Sequence, residues 1–501
     1  MSTFSLLFIA VLGIALLLFL VIVLRLQAFI ALLIASLAVA VIGGIPPAEI
    51  ADTIREGMGS TLGYIAIVIG LGAMFGEMLQ ISGGAEQIAN SLVRRFGEVN
   101  AQWALGLAGL AIAIPVFFDV GLIICIPLVY SLGRRTGRSL LYYAIPLVAG
   151  LAVGHSFVPP TPGPVAVASL LGADLGWVIL FGLIAGLPAL AIGGVYFGKY
   201  IGKQIHLTVP AEMEAAVAEP LREMAPVGAE ATSPVTAEPY AVHPELHPEL
   251  PVERSSDRVL PTVEMKADEM KAELSRRRLP SFGMVMSLVI VPLVLILLNT
   301  VLGVVLPEGN LVRNWMAFLG HPFTALILAT LLSFYYLGIR RGYSLADIQR
   351  ITTKSFEPVG LIILVTGAGG VFGRVLVETG VGNALAGAMA ASNLPIIFLA
   401  FMIAAAVRVS QGSATVSMVT AAGLVAPAIQ AGNYSAPLVG AITIAIASGA
   451  TILSHVNDSG FWLVGRYLGM TEKETLRSWT VMETIIGFVG FAVVFVLGFF
   501  L

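Results

Sequence analysis

Runs of about 20 apolar residues, separated by short polar or glycine-bearing stretches, dominate the chain. A helix of roughly that length crosses the ~30 Å hydrocarbon layer of a bilayer. In the first half such runs predict crossings over Phe4–Leu24, Gln27–Ile45, Met58–Ile81, Leu140–Phe157 (extended past Pro164) and Leu175–Gly198. In the second half they predict Phe282–Leu306, Trp315–Leu337, Val359–Val377, Pro437–Leu453 (extended past Ser459) and Trp479–Leu501. Two further runs are too long for one helix and carry an interruption. Ala101–Leu132 is broken near Pro115–Gly121, and Leu394–Ala431 near Arg408–Ser413. Each predicts a re-entrant hairpin, and non-helical backbone at that depth is tolerated only inside protein or against a water-filled cavity.

The pattern occurs twice. AFIALLIASLAVAVIGGIPPAEI at Ala28–Ile50 returns as PFTALILATLLSFYYLGIRRGYSLADI at Pro322–Ile348. FGEMLQISGGAEQIA at Phe75–Ala89 returns as FGRVLVETGVGNALA at Phe372–Ala386. The polar break HSFVPPTPG from His155 has its counterpart in SHVNDSG from Ser454. Internal repetition in an almost wholly apolar chain is the mark of a secondary transporter with one site between its halves. The fold class expected is an all-α polytopic membrane protein of two inverted repeats, each five transmembrane helices plus one re-entrant hairpin, with broken helices at the site.

Arginine and lysine set the orientation. With the N-terminus outside, the inner side collects Arg25, Arg94, Arg95, Arg134, Arg135, Arg138, Lys199, Lys203, Arg276–Arg278, Arg340, Arg341, Arg466, Lys473 and Arg477. The outer side receives little beyond Arg55 and Arg313, which satisfies the positive-inside rule. Five crossings plus a hairpin invert the second half, so both termini are expected outside. Domains follow: 1–203 the first membrane repeat, 204–279 a cytoplasmic linker, and 280–501 the second repeat. The linker is rich in Pro, Glu and Ala (HPELHPELP is a local duplication) and buries too little apolar surface to offset its conformational entropy.

Composition sharpens this picture. With 57% hydrophobic and 11% charged residues and a mean hydropathy of +0.94, the chain is no soluble domain, which carries about 25% charge. Its net charge of −3 does not bear on partners, and no basic patch points to nucleic acid. The one cysteine, Cys125, excludes an intrachain disulfide. Met1–Leu24 lacks a positive n-region and a small-residue cleavage site, and is expected to remain as a helix. No HExxH, metal-ligand cluster or P-loop is present, so no metal or cofactor is expected and neither enzyme chemistry nor ATP-driven transport is supported.

The four breaks hold the chemistry. Broken helices expose N-termini whose free N–H groups and positive dipole ends suit an anion. The candidate substrate contacts are Gly121, His155, Thr161, Ser410, Gly412, Ser413, Thr415, His455, Asn457 and Ser459, a set that fits a carboxylate bearing hydroxyls. Ionisable residues at bilayer depth are costly and therefore functional by default. Asp119 and Asp458 are candidates for proton coupling, and Arg408 for an ion pair with either or an anion contact. The small residues also serve close helix packing. Glu77, Arg374 and Glu378, near the ends of the third crossings, are expected to pair structurally or sit at the interface.

IPVFFDVGLIICIPLVY (Ile114–Tyr130), HSFVPPTPGPVAVA (His155–Ala168), RVSQGSATVSMVTAAGLVAP (Arg408–Pro427), SHVNDSGFWLV (Ser454–Val464) and WTVMETIIG (Trp479–Gly487) resemble the gluconate permease family of proton symporters, within the larger ion-transporter superfamily. The resemblance covers about 1–200 and 280–501. It implies proton-driven uptake of gluconate or a related small hydroxy or amino acid across a bacterial inner membrane. It also implies an inverted-repeat fold, often dimeric, so a homodimer is expected, with the site on the hairpin tips and helix breaks. FFDVG places Asp where gluconate members often carry Glu, and QGSATV also resembles D-serine-type relatives. The competing expectations are a sodium-coupled carrier of the same fold, a D-serine-type permease, and a membrane sensor signalling through 204–279.

Overall fold

The computed structural model describes residues 2–210, 279–381, 384, 387 and 394–501, and among them the only regular structure is helical. The expected linker therefore lies outside the described residues except at its two ends. In chain order the first half contains α1 (Thr3–Leu18), α2 (Ala28–Ile42), α3 (Pro47–Ile81), α4 (Gly84–Phe96), α5 (Ala101–Ala113), α6 (Phe118–Thr136), α7 (Leu141–Phe157), α8 (Pro162–Leu171), α9 (Leu175–Ala189) and α10 (Phe197–Gln204). The second half contains α11 (Phe282–Val305), α12 (Leu311–Leu319), α13 (Pro322–Ser333), α14 (Leu345–Lys354), α15 (Phe356–Glu378), α16 (Ile396–Gln411), α17 (Ala414–Ala431), α18 (Ala436–Gly449), α19 (Ser459–Leu468), α20 (Glu472–Thr475) and α21 (Val481–Gly498).

Among the described residues, nine helical stretches are long and apolar enough to cross a membrane. The expected second crossing is shorter than the apolar run, because α2 stops after 15 residues at Gly43–Gly44. The third is longer: α3 runs 35 residues, about 50 Å at 1.5 Å per residue. Its polar start, AEIADTIREG, reads as a loop by hydropathy alone, yet Pro47 at its first turn is preset for a helix. In the second half the equivalent stretch is divided at Ser355 into α14 and α15. The expected hairpin arm α17, 18 residues long, is itself among the nine.

Small residues let the helices meet closely. Gly150 and Gly154 of α7 face α5 so tightly that a methyl on Gly150 would collide with the Gly106 carbonyl, and one on Gly154 with that of Leu110. α3 and α15 pack along each other, and α17 lies against both α8 and α15. The α5–α6 pair begins and ends together, since Glu98 before α5 pairs with Arg135 near the end of α6 at 2.6 Å. α16 starts beside the end of α21, where a side chain at Gly498 would touch Ile397 of α16 and Leu438 at the start of α18, the helix that follows α17.

Candidate functional site

Four interruptions converge on one cavity, and each has a local cause. Pro115, which lacks a backbone N–H, stands between α5 and α6, and its carbonyl abuts Gly76 of α3. After α7 the chain meets Pro159 and Pro160, joined by a cis peptide, and restarts with Pro162 in the first turn of α8. Gly412, at φ +86°, ends α16, and Ser413 caps α17 by accepting from the Val416 N–H. After α18 the chain runs irregularly to Asp458, which caps α19 by accepting from the Gly460 N–H at 3.1 Å.

The cavity is about 410 Å³, within the usual range for a small-molecule site. Three helix N-termini line it: Phe118–Val120 of α6, Ser413–Thr415 of α17, and Ser459–Gly460 of α19. Its walls add Glu77 and Gln80 of α3, His155 and Ser156 of α7, Arg408 of α16, and Trp479 and Glu483 from the last crossing.

At its base lies a hydrogen-bonded knot. Arg408, 2% exposed, donates from Nη2 to Asp458 Oδ2 at 2.6 Å. Ser454 Oγ donates to the same oxygen and accepts from Trp479 Nε1 at 2.6 Å. The Thr480 hydroxyl donates to the Ser454 carbonyl, and Thr484 Oγ1 accepts from the Leu453 N–H. A buried ion pair repays its desolvation only with additional hydrogen bonds of this kind. Nε and Nη1 of Arg408 have no partner, nor do Oε1 of Glu483 and Nδ1 of His155. Phe118 packs on Trp479 and Phe117 on His155, at ring separations of 5.3 and 6.2 Å.

The structure thus brings Asp119, His155, Arg408, Ser413, Thr415, Asp458 and Ser459 to one cavity. It places other candidates elsewhere. Gly121 is buried beneath the cavity against Leu151. The Thr161 hydroxyl is buried and donates to the Val158 carbonyl at 2.7 Å. Ser410 Oγ donates back to Ala406 O within its own helix, the usual fate of a mid-helix serine. Gly412 abuts Asn457, whose Nδ2 donates to the Val409 carbonyl. A ring nitrogen of His455 meets that same carbonyl, so the two histidines of the matching breaks do not share an environment. Arg408 pairs with Asp458 and not with Asp119, which is exposed. Arg374 pairs with Glu56 and Glu378, as structural pairing requires, whereas Glu77, expected to be structural, lines the cavity.

Glu483 is the residue that sequence reasoning missed. It is the sole acid in the apolar run from Val481 to Leu501, and that isolation was the available signal.

Comparison with known proteins agrees with this architecture. Residues 5–234 and 252–500 match the profile described as GntP family permease. The low-affinity gluconate transporter of Escherichia coli K12 is 40% identical over 98% of this chain and 97% of its own. The gluconate permease of Bacillus subtilis is 34% identical over 98% of this chain and 99% of its own. Among solved structures, the YdaH transporter of Alcanivorax borkumensis shares the fold, with a TM-score of 0.55 at 15% identity over 91% of this chain and 90% of that one. The chain is a multi-pass membrane protein, not an enzyme, and it belongs to the GntP family of permeases.

Proposed function

We propose that the protein takes up gluconate or a related small hydroxycarboxylate together with protons, by alternating access to the cavity between its halves. The observation that carries this reading is Arg408. A guanidinium buried at the meeting of the breaks, with Nε and Nη1 unpartnered, holds positive charge and donors that an anionic substrate can satisfy. Three helix N-termini add positive potential from other sides. Ser413, Thr415, Ser459, Gln80 and Glu77 offer groups for the hydroxyls of a sugar acid. Gluconate appears in the names of relatives over nearly their full length. The coupling proton rides on a carboxyl of the cavity, for which the sequence singles out Asp119 and Asp458.

The inverted arrangement is part of this proposal. The pairing of Glu98 with Arg135 supports α5–α6 opening to one end. The neighbourhood of Gly498, Ile397 and Leu438 supports α16–α17 opening to another. Residues 204–279 then act as a cytoplasmic tether between two membrane repeats, 1–203 and 280–501.

Proteoliposomes test the reading. An acidic exterior should drive accumulation of labelled gluconate above equilibrium, with no effect of Na⁺ at fixed pH. Accumulation that requires Na⁺ would replace the proton by sodium, and preference for D-serine over sugar acids would replace the substrate class.

A further inference from the structure

The knot holds the guanidinium of Arg408 and the carboxyl of Asp458, a second carboxyl, that of Glu483, lines the same cavity, and the two acids are not equivalent. Asp458 has both oxygens engaged: Oδ2 by Arg408 and Ser454, Oδ1 by the N–H of Gly460. It is the fixed partner of Arg408, held by three donors from three segments. Glu483, 4% exposed on the cavity wall, has Oε1 without a partner. Arg408 and Asp458 line the same cavity. Arg408 in turn keeps Nε and Nη1 free.

Other ionisable groups do not balance Glu483. Of the helices packed on α21, α9 and α18 contain no ionisable side chain, α7 brings His155 and α16 brings Arg408, while the flanking helical segments Leu190–Tyr196 and Leu476–Thr480 bring Tyr196 and Arg477, both exposed. Glu77 and Asp119 face the cavity from α3 and α6, and both are more exposed than Glu483. One buried positive charge, Arg408, therefore serves buried Glu483 and half-buried Asp458, and the substrate adds a third anion. Stacking uncompensated charge in such a place costs several kcal/mol, so a proton must enter the count.

Resting on the reading of a proton-coupled carrier, we propose that Glu483 is the coupling carboxyl, and that its carboxylate and the carboxylate of the substrate alternate as the second partner of Arg408. On the side rich in protons, H⁺ binds Glu483, which frees the guanidinium of Arg408 from its second carboxylate. The substrate carboxylate takes that place beside Arg408. On the other side the substrate leaves, Glu483 gives its proton to water, and its carboxylate returns to Arg408. The charge count closes. With substrate bound, Arg408 (+), Asp458 (−), substrate (−) and neutral Glu483 sum to one negative charge. Without it, Arg408 (+), Asp458 (−) and Glu483 (−) give the same sum. Both forms that cross carry equal charge, while substrate without a proton, or a proton without substrate, makes a form that differs by one. Asp119, exposed and outside the knot, has no such competition to offer.

The test uses full-length protein in proteoliposomes, with Glu483→Gln as a permanently neutral mimic and Glu483→Asp as the variant that keeps a carboxyl. Wild type should accumulate gluconate on a pH gradient, and its gluconate exchange should slow as pH rises. E483Q should lose accumulation, and its remaining exchange should no longer vary with pH, while E483D should recover part of both. In wild-type protein, dicyclohexylcarbodiimide, which modifies protonated carboxyls in apolar surroundings, should label Glu483 by mass spectrometry, less at raised pH. Full accumulation by E483Q, or its loss in Asp119→Asn or Asp458→Asn while E483Q retains it, overturns the assignment. So does absence of label on Glu483, a measurement that needs no variant to fold. Failure of wild type itself to accumulate gluconate would instead sink the underlying reading.

Discussion

Arg408 shows how much one side chain can decide. Buried to 2% exposure beside the cavity, it commits one nitrogen to Asp458 and leaves two without a partner. Removing one member of a buried pair leaves an uncompensated charge, at about 3–5 kcal/mol. Asp458→Asn should therefore lower thermal stability in detergent by an amount of that order. An unchanged melting temperature would mean that the pair holds nothing together. The neighbouring polar residues separate more gently. Ser413 lines the cavity, so Ser413→Ala should weaken gluconate binding by about 1–3 kcal/mol. Asn457 spends its amide on the Val409 carbonyl, so Asn457→Ala should act on stability before affinity. Equal losses of affinity in the two variants would contradict this division. Sequence alone could not make that distinction. Ser413 and Ser410 read alike as hydroxyls in a polar break, and only the turn at Gly412 sends one toward the cavity wall and the other back along α16. Glu483 was hidden for the opposite reason: it sits in an uninterrupted apolar run and not in a break.

At the scale of elements, the apolar runs told where helices lie and the polar interruptions told where they stop. The break expected near Arg408–Ser413 falls at Gly412–Ser413, and the one expected near Pro115–Gly121 spans Ile114–Phe117. Lengths were less legible. Hydropathy registers only the apolar part of α3, whose first turns are polar, and it carries α2 past the glycines that end it. The breaks also owe their shape to contacts far apart in sequence, as at Gly412. Its φ of +86° suits glycine, and a Cβ there would collide with the carbonyl of Asn457. Gly412→Ala should destabilise the protein by about 1–3 kcal/mol, the usual cost of a strained backbone. Gly412→Asn separates the two causes. Asparagine tolerates positive φ, so it should relieve the damage if the dihedral alone mattered. Because its Cβ meets the same carbonyl, no relief is expected, and a melting temperature restored to the wild-type value would show that the contact with Asn457 is dispensable.

The whole molecule is polarised, and contacts link its basic segments. Glu98 binds Arg135, the Ser139 hydroxyl donates to Ile205 O, and the Leu140 N–H donates to Leu207 O. Tyr130 donates to the Tyr467 carbonyl, and Tyr343 to that of Ile81. These ties join the segments that carry Arg94, Arg95, Arg134, Arg135, Arg138, Lys203, Arg340, Arg341 and Arg466. Basic residues are retained on the cytoplasmic side of a membrane, which gives the fold a direction. Thr208 follows the chain's ties to Ser139 and Leu140, so it should face the cytoplasm. Pro307, exposed between α11 and α12 with only Arg313 as nearby basic charge, should face outward. The lone Cys125 is buried, so the wild-type chain offers a clean background for thiol labelling. Thr208→Cys should react with an impermeant maleimide only after the cells are opened, and Pro307→Cys in intact cells. Both cysteines reacting from the same side would remove the inverted arrangement, since one crossing, α11, separates the start of the second half from Pro307. The reverse pattern would leave the arrangement intact but turn it over, and would detach the charge bias from orientation in this protein.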